Sequence, residues 1–155
     1  KNYQKPYTTE HIFTAHNQAV LSGSHVAHYF LFGGPGETRE TVSATLDNIE
    51  KMENGVFFFY CGVRIYPGTK LHKIALAEGR ISPQNNLLEP VFYFADGIRS
   101  EEIIQLAKQR ANGRKNWIVG SLSDRTLKII GKMYAWDYTG PLWETLLAPQ
   151  KRKNT

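Results

Sequence analysis

Two short segments hold the residue types best suited to chemistry. Phe32-Gly33-Gly34-Pro35-Gly36-Glu37-Thr38 sets three glycines ahead of an acid, and Gly62-Val63-Arg64-Ile65-Tyr66-Pro67-Gly68-Thr69 carries a guanidinium and a phenol. Glycine lets main-chain amides turn toward a ligand through positive φ. A helix start directly behind such a turn offers unpaired N–H groups. A phosphate loop is not supported: the Gly-x-x-x-x-Gly-Lys-Ser/Thr spacing is absent, no lysine follows the turn, and Glu37 repels an anion. The loop suits a neutral or cationic ligand edge, or it is a tight turn with Glu37 at the positive end of a helix.

In the second segment, strand alternation places Gly62, Arg64 and Tyr66 on one face and Val63 and Ile65 on the other. A guanidinium in so apolar a stretch needs a partner, because an unpaired buried charge is costly. A carboxylate of a substrate or cofactor, held bidentately, fits that need, and so does Glu37 or Glu78.

Other reactive side chains read as structural. His25 and His28 are three apart on a strand and face opposite sides, His11 and His16 are five apart on a helix, and His72 opens a short helix. Cys61 is the single cysteine and reads as a small buried hydrophobe. It excludes an internal disulfide and a four-thiolate zinc site, and makes a reduced, cytoplasmic setting the expectation. No Gly-x-Ser-x-Gly turn or Ser/His/Asp order supports a hydrolase.

The elements that must position these residues alternate helix and strand. Thr8 is expected to cap a helix to about Leu21, followed by a strand over His25–Phe32. A helix from near Thr38 to about Glu53 carries Val42, Leu46, Ile49 and Met52 at helical spacing. Val56–Ile65 reads as a second strand, its start apolar on both faces as a covered parallel strand requires. Thr69 caps a helix through Glu78. Residues 80–90 read as loop and Val91–Ala95 as a short strand. Ser100–Asn112 is a helix with Ser100 as its cap, Asn116–Val119 is extended, and Asp124–Tyr134 and Pro141–Leu147 are closing helices. Strand, helix, strand in this order makes a right-handed crossover with parallel neighbours, so the fold class is α/β. Trp117, Trp136 and Trp143 read as packing residues.

The 155 residues suit one domain, and 41% hydrophobic with 21% charged residues argues against disorder. No run approaches the ~18 apolar residues of a membrane span, so no membrane partner is expected. The net charge of +5 is concentrated in a tail at Lys151, Arg152 and Lys153 and near a helix end at Lys108, Arg110, Arg114 and Lys115. No aromatic interleaving accompanies it, and nucleic acid is not expected as a partner. The first residue is Lys1, which suggests a processed chain or a piece of something longer.

Tyr29-Phe30-Leu31-Phe32-Gly33-Gly34-Pro35-Gly36-Glu37-Thr38-Arg39-Glu40-Thr41-Val42, a Thr45-Leu46-Asp47 helix, then Arg64-Ile65-Tyr66-Pro67-Gly68-Thr69-Lys70-Leu71 resembles the late part of the radical S-adenosylmethionine barrel. It is most similar to members that carry a cobalamin-binding domain ahead of the barrel. The resemblance implies a partial (β/α) barrel of TIM type. In that family a 4Fe-4S cluster on Cys-x-x-x-Cys-x-x-Cys cleaves S-adenosylmethionine to a 5′-deoxyadenosyl radical for oxidoreduction or for methyl or carbon transfer. It further implies that His25–Phe32 and Val56–Ile65 are the last two barrel strands. Gly33, Gly34 and Gly36 would lie near the adenosyl group with Glu37 supporting the loop, and Arg64 and Tyr66 would face the barrel mouth toward cofactor or substrate.

The departure is as informative. The three cluster cysteines and the earlier strands are missing, so this chain on its own is expected to be catalytically silent, with no catalytic residue and no metal ligand. The expected organisation is 1–81 as the last part of the barrel, 82–148 as a mostly helical C-terminal extension, and 149–155 as a basic tail. Its expected partners are the missing N-terminal part of the barrel and a substrate. An exposed strand edge calls for self-association or cover by the C-terminal segment. A stand-alone α/β ligand-binding or protein-interaction domain is the rival, and a nucleotide-binding module is a third reading, tested by titrating adenosine nucleotides against tryptophan fluorescence.

Overall fold

The computed structural model describes residues 5–120 and 131–147. Helix α1 (Thr9–Leu21) starts where expected: the Thr8 hydroxyl accepts from the His11 N–H, and the His11 Nδ1 accepts from the Thr8 N–H at 3.1 Å. Helix α2 (Arg39–Glu50) repeats this reciprocal cap with Thr38 and Thr41. Each cap satisfies amides that the first helical turn leaves unpaired.

Strand β1 (Val26–Phe32) precedes α2 and strand β2 (Gly55–Cys61) follows it. The two pair in parallel from Val26↔Gly55 to Phe32↔Cys61, as a strand–helix–strand crossover requires. Their carboxyl ends therefore lie side by side and point the same way.

The expected strand over Val56–Ile65 is not continuous. It stops at Gly62, whose φ is +92°, and resumes as β3 (Val63–Arg64) in a different sheet. There it pairs antiparallel with β4 (Phe92–Tyr93), Val63 opposite Tyr93 and Arg64 opposite Phe92. The cause is local: the Gly62 N–H still bonds the Phe32 carbonyl at 2.8 Å, and positive φ then turns the chain out of the ladder.

Helix α3 (Lys70–Ala77) is capped by Thr69, and the loop expected at 80–90 follows. Helix α4 (Ser100–Ala111) departs in one detail: its cap residue is Arg99, without a side-chain bond, and Ser100 is already helical. Glu101 and Glu102 still favour its first turn. Arg110 and Arg114, expected to serve the far dipole end, instead reach Asp47 and Glu50 of α2, at 2.8 to 3.3 Å. Strand β5 (Trp117–Val119) joins β2 in parallel, giving the order β1-β2-β5. The C-terminal half thus covers the outer edge of β2, whereas β1 has no ladder partner on its other side among the described residues.

Residues 131–135 are helical, and the earlier part of the helix expected over Asp124–Tyr134 lies outside the described residues, as does the basic tail. The expected helix at Pro141–Leu147 is a short 3-10 turn over Leu142–Leu146 that packs near β2.

The core lies on one face of the sheet. Phe57 and Phe59 of β2 meet Val42, Leu46 and Ile49 of α2 and Ile103 and Ala107 of α4 in one buried cluster. The opposite face is open in part: Tyr29, Leu31 and Tyr60 are 60%, 57% and 46% exposed, whereas Val56 at the start of β2 is fully buried. The start of β2 is thus covered on both faces, as expected, and its end at Tyr60 is not. A sheet with helices on one face and an apolar open face is the wall of an unclosed barrel.

Candidate functional site

At the end of β1 the chain turns through Gly33 and Gly36, with φ of +91° and +75°. Gly33 and Gly34 are buried, Gly36 is exposed, and Glu37 is half-buried. The Glu37 carboxylate folds back and accepts the Gly33 and Gly34 N–H groups. Burial raises its pKa above the ordinary carboxylate value, and those two bonds oppose the rise. The loop's inner amides are thus held by its own acid, and the exposed edge at Gly36 is what it offers to the surroundings. Glu37→Ala is expected to destabilise the fold by about 1–3 kcal/mol, because two buried amides lose their acceptor. Urea unfolding measures this, and Glu37→Gln should recover part of the loss.

Gly33 and Gly62 come together through the β1–β2 register. A side chain at Gly62 would put Cβ 2.7 Å from Cζ of Phe94 and 3.1 Å from Cβ of Phe92, and one at Gly33 would lie 3.2 Å from the Phe94 ring. The Ala95 N–H bonds the Gly33 carbonyl at 2.8 Å and fixes this approach. Phe92 and Phe94 were not expected at the site. Their stretch reads only as a short strand, and nothing in it shows that it folds back over the strand tips.

Arg64 stands beside this cluster on β3. Its guanidinium lies 4.8 Å from the Tyr66 ring centroid, and its Nη2 donates to the Leu88 carbonyl at 3.4 Å. Neither acid considered from the sequence is its partner. Glu37 serves its own loop, and Glu78 accepts from Arg80 Nε at 2.7 Å and Tyr93 Oη at 2.8 Å. Tyr66 is 52% exposed. The glycine turn and Arg64 therefore lie near the same end of the sheet, with Phe92 opposite Arg64 and solvent beyond.

Cys61 packs at the edge of the core, and burial, with Glu37 and Glu101 nearby, pushes its pKa up to about 11. It stays a neutral thiol, which is a poor metal ligand. Among the described residues no cluster of three or more His, Cys, Asp or Glu side chains could hold a metal ion. A 4Fe-4S cluster held by three thiolates does not fit this chain, which has one cysteine.

The histidines hold an unexpected pairing. His16, 2% exposed, has its Nδ1 2.9 Å from Nε2 of His28 and its Nε2 2.7 Å from the Glu53 carbonyl. A carbonyl only accepts, so His16 carries its proton on Nε2 and receives the His28 Nε2–H when both are neutral. His28 also stacks on Phe57 at 5.6 Å. These two are not isolated residues but a bridge from α1 to β1. Burial lowers the His28 pKa from 6.5, and His16 lowers it further. The unfolded chain thus takes up this proton more readily than the folded one. Stability is full above about pH 6.5 and falls as pH drops through that value toward the depressed folded pKa. Urea midpoints at about pH 8 and about pH 5 should differ less in His28→Gln, which keeps a donor to His16 but does not titrate.

An open groove of roughly 910 Å³ runs beside the free side of β1, lined by Tyr7, Ile12, His16, Val26, His28 and Phe30 among others. No helix among the described residues is long and apolar enough to cross a membrane.

Parallel strands with helices on one face, tips aligned, and one edge unpaired among the described residues are consistent with a segment of an incomplete (β/α) barrel. A solved structure gives this architecture a closer counterpart: the radical S-adenosylmethionine methyltransferase TsrM from Kitasatospora setae, with cobalamin and a [4Fe-4S] cluster bound. It superposes with a TM-score of 0.70 over 90% of this chain, at 18% identity, and the chain spans 33% of that protein's length. The likeness is one of fold. No protein-family model and no curated protein matches the sequence.

Proposed function

We propose that this chain supplies the closing wall of a radical S-adenosylmethionine enzyme, an oxidoreductase or methyl or carbon transferase, and does no chemistry alone. The carrying observation is that β1 and β2 end side by side in a sheet whose fold follows a radical S-adenosylmethionine methyltransferase over 90% of the chain. The free side of β1 is then where the remaining barrel strands add, and the cluster cysteines belong to that other part. When bound there, S-adenosylmethionine would supply a 5′-deoxyadenosyl radical. This chain's share is to shape the chamber. The exposed edge at Gly36 would border the adenosyl group, Gly33 and Gly34 with Glu37 would hold that edge rigid, and Arg64 and Tyr66 would face cofactor or substrate. Cobalamin enters this reading through the neighbour alone, and no residue here is assigned to it. The setting in this reading is the cytoplasm, and neither a membrane nor a nucleic acid takes part.

One observation favours a second reading, a stand-alone α/β binding or interaction domain. Phe94 fills the space over Gly33 and Gly62, which gives both glycines a packing reason. The two part experimentally. The coding frame ahead of Lys1 should hold Cys-x-x-x-Cys-x-x-Cys within roughly 100–200 residues, a barrel-scale distance. The joined polypeptide, reconstituted anaerobically with iron and sulfide, should release 5′-deoxyadenosine from S-adenosylmethionine. A start codon just ahead of Lys1, with no such release, would favour the stand-alone domain.

A further inference from the structure

Among the described residues four arginines are matched by acids, Arg39 by Glu102, Arg80 by Glu78 and Asp96, Arg110 by Asp47 and Glu50, and Arg114 by Glu50, while Arg64 and Arg99 have no ion pair. Arg64 differs. Among the described residues no carboxylate pairs with it, its one hydrogen bond is the long contact to the Leu88 carbonyl, and its Nε is buried with no partner. The β3–β4 register sets Phe92 directly opposite Arg64, so the two share a face of that small sheet. The Tyr66 ring lies 4.8 Å from the cation, and Tyr66 at 52% and Phe92 at 49% exposed both still meet solvent. The Nε–Nη edge of a guanidinium is a fork that matches two carboxylate oxygens.

We propose that Arg64, with Tyr66 and Phe92, forms a subsite for a carboxylate borne on a flat or apolar body. The carboxylate takes the Arg64 fork, displacing the weak Leu88 contact. The guanidinium swings from the Leu88 carbonyl, which brings Nε out to its new acceptor. The body of the ligand lies against the Tyr66 and Phe92 rings. The location at a chamber mouth rests on the proposed function, whereas the subsite itself rests on the β3–β4 geometry. A carboxylate there has two sources, the substrate or the methionyl end of S-adenosylmethionine.

The test is a titration of the isotopically labelled 155-residue chain with sodium benzoate, read at the Arg64 side-chain Nε–H resonance, identified by its loss in Arg64→Lys. Benzoate should move this signal saturably, and benzamide, without the charge, should not. Arg64→Lys should weaken benzoate binding at least tenfold, followed at the Tyr66 and Phe92 ring signals, while the thermal midpoint stays near that of the parent. Phe92→Ala should weaken it several-fold with Arg64 retained. A parallel titration with S-adenosylmethionine, in this chain and in the joined polypeptide, assigns the source: competition with benzoate in either makes the carboxylate the cofactor's, and none in the joined polypeptide makes it the substrate's. Equal shifts with benzoate and sodium chloride, or none with benzoate, would overturn the subsite. Neither result touches the 5′-deoxyadenosine assay, so failure of the subsite and failure of the enzyme reading are distinct.

Discussion

Gly62→Ala should lower stability by about 2–4 kcal/mol, the sum of a side chain forced to positive φ and an overpacked contact. Gly62 has φ +92°, and its added Cβ would meet the Phe94 ring at 2.7 Å. That ring cannot retreat toward β1 freely, since it also packs close to Gly33. In thermal unfolding the midpoint should fall by roughly 5–15 °C. Phe94→Leu in the Gly62→Ala background should return part of the loss, because it relieves the contact but leaves the backbone strain. A double-mutant cycle separates the two. An unchanged midpoint in Gly62→Ala would mean that Phe94 does not sit over the strand tips.

Phe57→Ala should cost about 3–5 kcal/mol, the usual loss for emptying a fully buried aromatic position. Phe57 is 0% exposed on the central strand, stacks with His28 at 5.6 Å, and meets the edge of Trp117 at 6.0 Å. Its removal strips a ring partner from His28 and Phe30 of β1 and from Trp117 of β5. Against the roughly 5–15 kcal/mol that holds a typical domain together, this is a large share. The neighbouring Phe58→Ala supplies the contrast. Phe58 is half-buried on the partly open face and stacks with Tyr29 at 4.7 Å, so its loss should cost less, about 1–2 kcal/mol. Denaturant titration of both variants reads out which face holds the core. Equal losses would mean that the face bearing Tyr29 and Tyr60 is covered after all.

Local features of the fold were legible where short-range chemistry decides them. Thr8, Thr38 and Thr69 cap the helices that their spacing announces. The crossover rule makes β1 and β2 parallel without further information. The break at Gly62 was not legible, because Val56 to Ile65 reads as one strand. What ends the strand is the positive φ at Gly62, which the strand-forming residues on either side of it do not announce. The three residues of β5 were too short to assign to a sheet until Trp117 was seen beside Phe57.

For the site, the adjacency of the two segments was legible, since the parallel register alone brings the Phe32 and Cys61 ends together. Which partner Arg64 takes was not legible, as Glu37 and Glu78 are both near in sequence pattern yet engaged elsewhere. The His16–His28 bridge was equally hidden. It spans α1 and β1, and only their packing sets the rings 2.9 Å apart.

The free side of β1 is what fold and proposed function share, and amide hydrogen exchange measures it directly. The β1 amides that do not bond β2 should exchange rapidly in the 155-residue chain at low concentration. They should become strongly protected in a polypeptide that also carries the cysteine-bearing strands, as a parallel neighbour pairs with them. Exchange at β1 that is slow in this chain alone, or unaltered in the longer polypeptide, would contradict the placement of β1 at an open barrel edge.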